Sequence, residues 1–127
     1  MEININCDLG EKSKLHNNEN DPFLLKIVNS ANVACGYHAG DEQTMDQVVK
    51  ISIENNVSIG AHPSFNDPEN FGRKRMNLSS SDVRKLIIDQ YEILQRIAFN
   101  HNENVQDMNV EPTFNLSSNE DFPTLGS

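Results

Sequence analysis

Ser30-Ala31-Asn32-Val33-Ala34-Cys35-Gly36-Tyr37-His38-Ala39-Gly40-Asp41 is the stretch that decides the fold. Its opening residues, Ser30 to Cys35, are small or β-branched and close on Gly36, which reads as a short strand ended by a tight turn. Asp41 then stands where a helix needs a side-chain acceptor. Behind it Met45, Val48, Val49 and Ser52-Ile53 recur with helical spacing to about Asn55. Asn55-Asn56 ends that helix, and Val57-Ser58-Ile59-Gly60-Ala61 is the next strand. Strand, helix and strand in so short a span make a parallel β/α unit with a right-handed crossover.

The same pattern extends both ways. Towards the N-terminus, Ile3 to Cys7 alternates apolar and polar residues as a short strand does, and Asp8-Leu9-Gly10 turns the chain into a polar loop over Lys12 to Asn20. Asp21-Pro22 opens a short helix, with Asp as N-cap, Pro at the first helical position and Phe23, Leu24, Ile27 and Val28 as its apolar face. Towards the C-terminus, His62 to Asn77 is a polar loop bearing Pro and Gly. Ser79 three residues before Asp82 resembles a capping box, and Val83, Ile87, Gln90-Tyr91, Leu94 and Ile97-Ala98 share one face of a third helix.

From Asn100 onward the character changes. His101 to Asp107 is mostly Asn, Glu and Gln, and Glu111 to Ser127 holds two prolines and a Ser-Ser-Asn-Glu-Asp run. The expectation is a β/α domain over 1–98 and a divergent, disordered tail over 99–127. Three β/α units can begin a barrel or an open doubly wound sheet, and a complete barrel takes roughly 250 residues, against 127 here.

Composition removes several function classes. A net charge of −9 leaves no basic stripe for nucleic acid. No apolar run approaches the roughly 20 residues that span a bilayer, and Met1 to Ile5 has no signal-peptide character, so the expected location is the cytoplasm. Cys7 and Cys35 match no zinc or redox spacing and read as small packing residues. No phosphate loop of the G-x-x-x-x-G-K-[ST] type occurs, so a nucleotide site would be unconventional or lie in a partner.

Asp8 follows the first expected strand, His38 the second and His62 the third. Loops after strand C-terminal ends converge in parallel β/α folds, and active sites are built there. An Asp and two His so placed suit a divalent metal or an acid–base pair. Taken singly, each has a plainer role: Asp8 capping a turn, His38 bonded to Asp41, His62 as a loop residue. Asp41 reads first as an N-cap, and Arg73, within Gly72-Arg73-Lys74-Arg75, is a solvated charge or an anion clamp.

At these residues the chain resembles a known family. Asn6-Cys7-Asp8-Leu9-Gly10-Glu11 is similar to the opening N-x-D-L-G-E of the LamB/YcsF family, the lactam-utilisation or 5-oxoprolinase A proteins. The twelve residues from Ser30 to Asp41 resemble its S-A-N-I-A-C-G-F-H-A-G-D, and Gly60-Ala61-His62-Pro63-Ser64-Phe65 its G-A-H-P-S-F. Asp67, Phe71-Gly72-Arg73 and Met76 fall in register with D-x-x-x-F-G-R-x-x-M, and Gln90 also matches.

The resemblance implies a partial parallel β/α barrel of the glycoside hydrolase/deacetylase-like kind. It implies a component of ATP-dependent 5-oxoprolinase, opening 5-oxo-L-proline to L-glutamate together with separate B and C subunits. By analogy with related deacetylase barrels, Asp8, His38 and His62 would carry the chemistry and hold a divalent metal, while Glu11, Asp41 and Arg73 position substrate. Beyond the third helix the pattern departs: where the family has H-V-K-P-H-G-A-L-Y-N, this chain has Asn109-Val110-Glu111-Pro112-Thr113-Phe114-Asn115-Leu116, without the lysine and both histidines. That departure suggests a truncated barrel whose open edges would be relieved by a second copy or another chain. Two alternatives stand beside the leading reading: a non-enzymatic degenerate fragment or binding partner, and a metal-dependent deacetylase-like hydrolase.

Overall fold

The computed structural model describes residues 1–102. Three strands, β1 (Asn6–Leu9), β2 (Ser30–Ala34) and β3 (Ser58–His62), form a parallel sheet in the order β1-β2-β3. The helices α1 (Asp21–Leu24), α2 (Glu42–Glu54) and α3 (Ser80–Asn102) follow them in turn, and a 3-10 turn spans Pro68–Asn70. The register aligns Asp8 with Asn32 and Asn32 with Gly60, and pairs Ala34 with His62.

Alternation along the strands gives the sheet two unlike faces. Leu9, Ala31 and Val33 point to the helices and close a core with Leu25, Val28, Met45, Val48, Val49, Leu94 and Ile97. The opposite face carries Asn6, Asp8, Ser30, Asn32, Ser58 and His62, with Asn32 Nδ2 donating to Asn6 Oδ1 at 2.9 Å and Asp8 Oδ1 at 3.1 Å.

The local signals for α2 and α3 are realised. Asp41 caps α2, its Oδ1 accepting from the Thr44 N–H at 2.7 Å. Ser79 Oγ accepts from the Asp82 N–H at 3.1 Å while Asp82 Oδ2 accepts from the Ser79 N–H at 3.4 Å, a reciprocal capping box. An ion pair from Arg96 to Glu42 and a hydrogen-bond contact between His101 Nε2 and Asp46 Oδ1, both 2.7 Å, link the far half of α3 to α2.

Four expectations need correction. The first strand is Asn6–Leu9 rather than Ile3 to Cys7, because pairing with β2 starts at Asn6 and leaves Ile3 and Ile5 78% and 49% exposed. Asp8 therefore lies within β1 and not in a turn after it. Asn20, not Asp21, is the N-cap of α1; Asp21 is buried, and its Oδ2 accepts from the Gly10 N–H at 2.8 Å. The core takes Leu25 and Val28 from this segment, leaving Phe23 and Ile27 at the surface. Finally, α3 runs to Asn102, past the expected limit of residue 98. The rest of the expected tail, including Asn109 to Leu116, lies outside the described residues.

Beside β3, on the helix side, an open apolar groove is lined by Ile59, Ala61, Tyr91, Leu94, Ala98 and Phe99. No described helix is long and apolar enough to cross a membrane.

Candidate functional site

The C-terminal ends of the strands are locked together by their loops. The Gly40 N–H donates to the Lys12 carbonyl at 2.8 Å, tying the loop after β2 to the loop after β1. The two backbones pass so closely that a Cβ on Gly40 would collide with the Gly10 carbonyl oxygen. The carboxylate of Asp21 holds the Gly10 N–H from below, despite burial that raises its own pKa. Glu11 is thereby fixed beside the loop that carries His38.

His38 Nε2 lies 3.0 Å from Glu11 Oε2, with the two side chains only 3% and 12% exposed. The His62 ring, at the tip of β3, has its centroid 4.8 Å from that of His38. Asp8 Oδ1 is 3.8 Å from His62 Nδ1, too far for a hydrogen bond. His38 Nδ1 and His62 Nδ1 are both buried without a hydrogen-bond partner. Glu11, His38 and His62 each offer one donor atom, and these atoms lie within 4.8 Å of one another.

The loop after β3 covers this group. The Phe71 ring meets His38 edge-on at 4.9 Å between centroids, and the Arg73 guanidinium sits 5.5 Å from the centroid of Phe71. Phe71 adopts a left-handed backbone with φ of 57°, an uncommon state for an aromatic residue that packing must hold. Gly72 follows against Ser64 and His38, where a side chain would clash with Ser64 and crowd His38. Gln90 anchors the loop's other end from α3: Gln90 Oε1 accepts from the Ser64 N–H at 2.9 Å, and Gln90 Nε2 donates to the Ser64 carbonyl at 2.7 Å. Buried Asp67 pins its middle by accepting from Asn70 Nδ2 at 2.9 Å.

Of the residues singled out in the sequence, Glu11, His38 and His62 meet, and Asp8 flanks His62. Asp41 does not join them: its carboxylate is committed to Thr44, whose hydrogen bonds hold its pKa below the usual range. Arg73 lies over Phe71, outside the converging set. Sequence reasoning gave no site role to Asn32, which steadies Asp8, to Phe71, or to Gln90 as a loop clamp. The composition of Asn32's strand held a signal, since a lone polar side chain between Ala31 and Val33 must face away from the core. Burial pushes the Cys35 thiol up to about 11 and raises Cys7 as well, so neither is a ready nucleophile at neutral pH.

The geometry can be set beside known proteins. Over 113 residues the chain is 42% identical to 5-oxoprolinase A-subunit proteins from two strains of Staphylococcus epidermidis, covering 88% of this chain and 44% of each relative. The chain thus spans less than half the length of these curated relatives. The crystal structure of a lactam utilization protein from Thermus thermophilus superposes with a TM-score of 0.74 at 31% identity, over 80% of this chain and 41% of that one. The sequence model of the LamB/YcsF family matches residues 3–121, reaching from β1 across every described element and beyond α3. The match across the described elements and the identity to these relatives show that the chain belongs to the LamB/YcsF family.

Proposed function

We propose that this chain contributes to ATP-dependent opening of 5-oxo-L-proline to L-glutamate, as part of the A component of a 5-oxoprolinase working with B and C subunits in the cytoplasm. The observation that carries the reading is the meeting of two carboxylate–imidazole pairs, Glu11 with His38 and Asp8 with His62, at one end of the sheet. Opening the ring amide adds water across its C–N bond. One group must take a proton from the water and another must give one to the departing nitrogen. Glu11 and His38 are within hydrogen-bond reach of each other and largely shielded from solvent, which suits holding and passing a proton. His62, partly exposed beside Asp8, suits exchange with substrate. Arg73, over the Phe71 ring, would supply a cation for the substrate carboxylate. Asp41 would act through the α2 cap by fixing the His38 loop.

In this reading the polar sheet face becomes the interior of a barrel of the glycoside hydrolase/deacetylase type, with further strands pairing along β1 and β3. ATP would be bound by the assembled complex. A purified chain supplied with the partner subunits, ATP and 5-oxo-L-proline is expected to release glutamate. Glu11→Gln should lower that rate by about 10²–10⁴-fold, the usual range for loss of a proton-transfer group. A folded chain that adds nothing to the partner subunits' own rate would reject a catalytic part and leave the binding-partner reading.

A further inference from the structure

We propose that Glu11, His38 and His62 form a binding site for a single divalent transition-metal cation, with Asp8 as the outer partner of His62 rather than a ligand. The inference rests on the reading above only for the strand ends being the reaction site, and a cation bound there would take the place of the proton held between Glu11 and His38.

Two imidazoles and one carboxylate, each offering an atom within 4.8 Å of the others, are a ligand set suited to zinc and its first-row neighbours. Three protein ligands also leave a coordination position free. A cation there would polarise an amide carbonyl as a Lewis acid.

Unsatisfied atoms point the same way. A purely structural Glu–His pair would need one histidine and would satisfy it. Here the Glu11 contact uses only Nε2 of His38, and the Nδ1 atom is buried without a partner in a residue 2% exposed. A second imidazole, His62, is packed against the first, with its Nδ1 turned toward Asp8 and its Nε2 left for a ligand. Buried polar atoms without partners are rare because each costs its lost hydration. Such a nitrogen on His38, with a second imidazole against its ring and a carboxylate at its other nitrogen, marks a place built to receive a ligand.

Position separates Asp8 from the set. Its carboxylate takes the Asn32 amide at 3.1 Å and stands 3.8 Å from His62 Nδ1. That is the arrangement by which a carboxylate orients a metal-bound histidine from outside.

The test is metal binding by the full 127-residue chain, measured by calorimetry with Zn²⁺ and by the visible absorption of Co²⁺. One equivalent is expected, with Co²⁺ bands that mark nitrogen and oxygen ligation. Glu11→Gln and His62→Asn, both close in shape and with unchanged far-UV circular dichroism, should each weaken binding by more than about 100-fold, beyond what an outer partner costs. Asp8→Asn should weaken it by only about 10-fold. Equal binding by the parent, Glu11→Gln and His62→Asn chains, or no binding at micromolar Zn²⁺, would overturn the proposal. So would a loss in Asp8→Asn as large as that in Glu11→Gln. Glutamate formation by a metal-free, chelator-treated complex would sink this inference and leave ring opening intact; a metal-loaded chain without ring opening would do the reverse.

Discussion

Leu9 and Asp8 are neighbours on β1, yet they belong to different halves of the molecule. Leu9 is 1% exposed and touches the helix layer, whereas the side chain of Asp8 is 53% exposed on the polar face. The same division repeats along β2, where Val33 is buried and Asn32 points to Asp8. Stability therefore resides on the face the helices cover, and the proposed chemistry on the face they leave bare. The two are joined at the strand ends, where loops are clamped by groups reaching across from the covered side, Asp21 and Gln90 among them.

The sharpest way to break this comparison is to cut into the covered face. Leu9→Ala should cost about 2–5 kcal/mol in urea unfolding, as deletion of a fully packed leucine does. An effect below about 1 kcal/mol would show that the helix layer does not carry the fold. Gln90→Leu comes next. It leaves the Ser64 N–H and carbonyl without the side chain that now serves both, and the expected loss is about 1–3 kcal/mol. Faster hydrogen exchange at the Ser64 amide should accompany it, and an unchanged exchange rate would show that Gln90 does not clamp the loop.

Cys35 gives a smaller effect with a defined pH window. Burial raises its folded pKa from 9.0 to about 11. Between those values the unfolded chain gives up the thiol proton first, so this contribution is fully present below pH 9.0 and is lost as pH rises through about 11. The parent chain should lose about 1 kcal/mol relative to Cys35→Ala between about pH 8 and about pH 10. Parallel pH profiles for the two chains would contradict the buried placement. The smallest change is expected on the bare face: Asp8→Asn should move stability by less than about 0.5 kcal/mol, although the proposed site includes this residue. A large loss there would erase the distinction between the faces.

Much of the helical layer was legible because its signals are local. The caps at Asp41 and Ser79–Asp82 depend on residues three apart, and both form as read. The β1 boundary was not, since the alternation of Ile3 and Ile5 says nothing about where the neighbouring strand begins to pair. Asp21 shows the same limit from another side. Its position before Pro22 suggests a cap, but the Gly10 N–H claims its carboxylate across eleven residues. At the site, the motifs point to His38 and His62, and nearness to the expected strand end favours Asp8 over Glu11 as their companion. Glu11 reaches His38 only because the Gly40–Lys12 bond brings their two loops together, a contact no spacing along the chain reveals.

The most direct test of the central claim, that the bare face at the strand ends receives the substrate, is a titration of the histidine side-chain resonances of the folded chain with 5-oxo-L-proline. Saturable shifts are expected at His38 and His62 and none at His101, which sits on α3 paired with Asp46. Shifts confined to His101 and the Tyr91–Phe99 groove would place small-molecule binding on the covered side and contradict that claim.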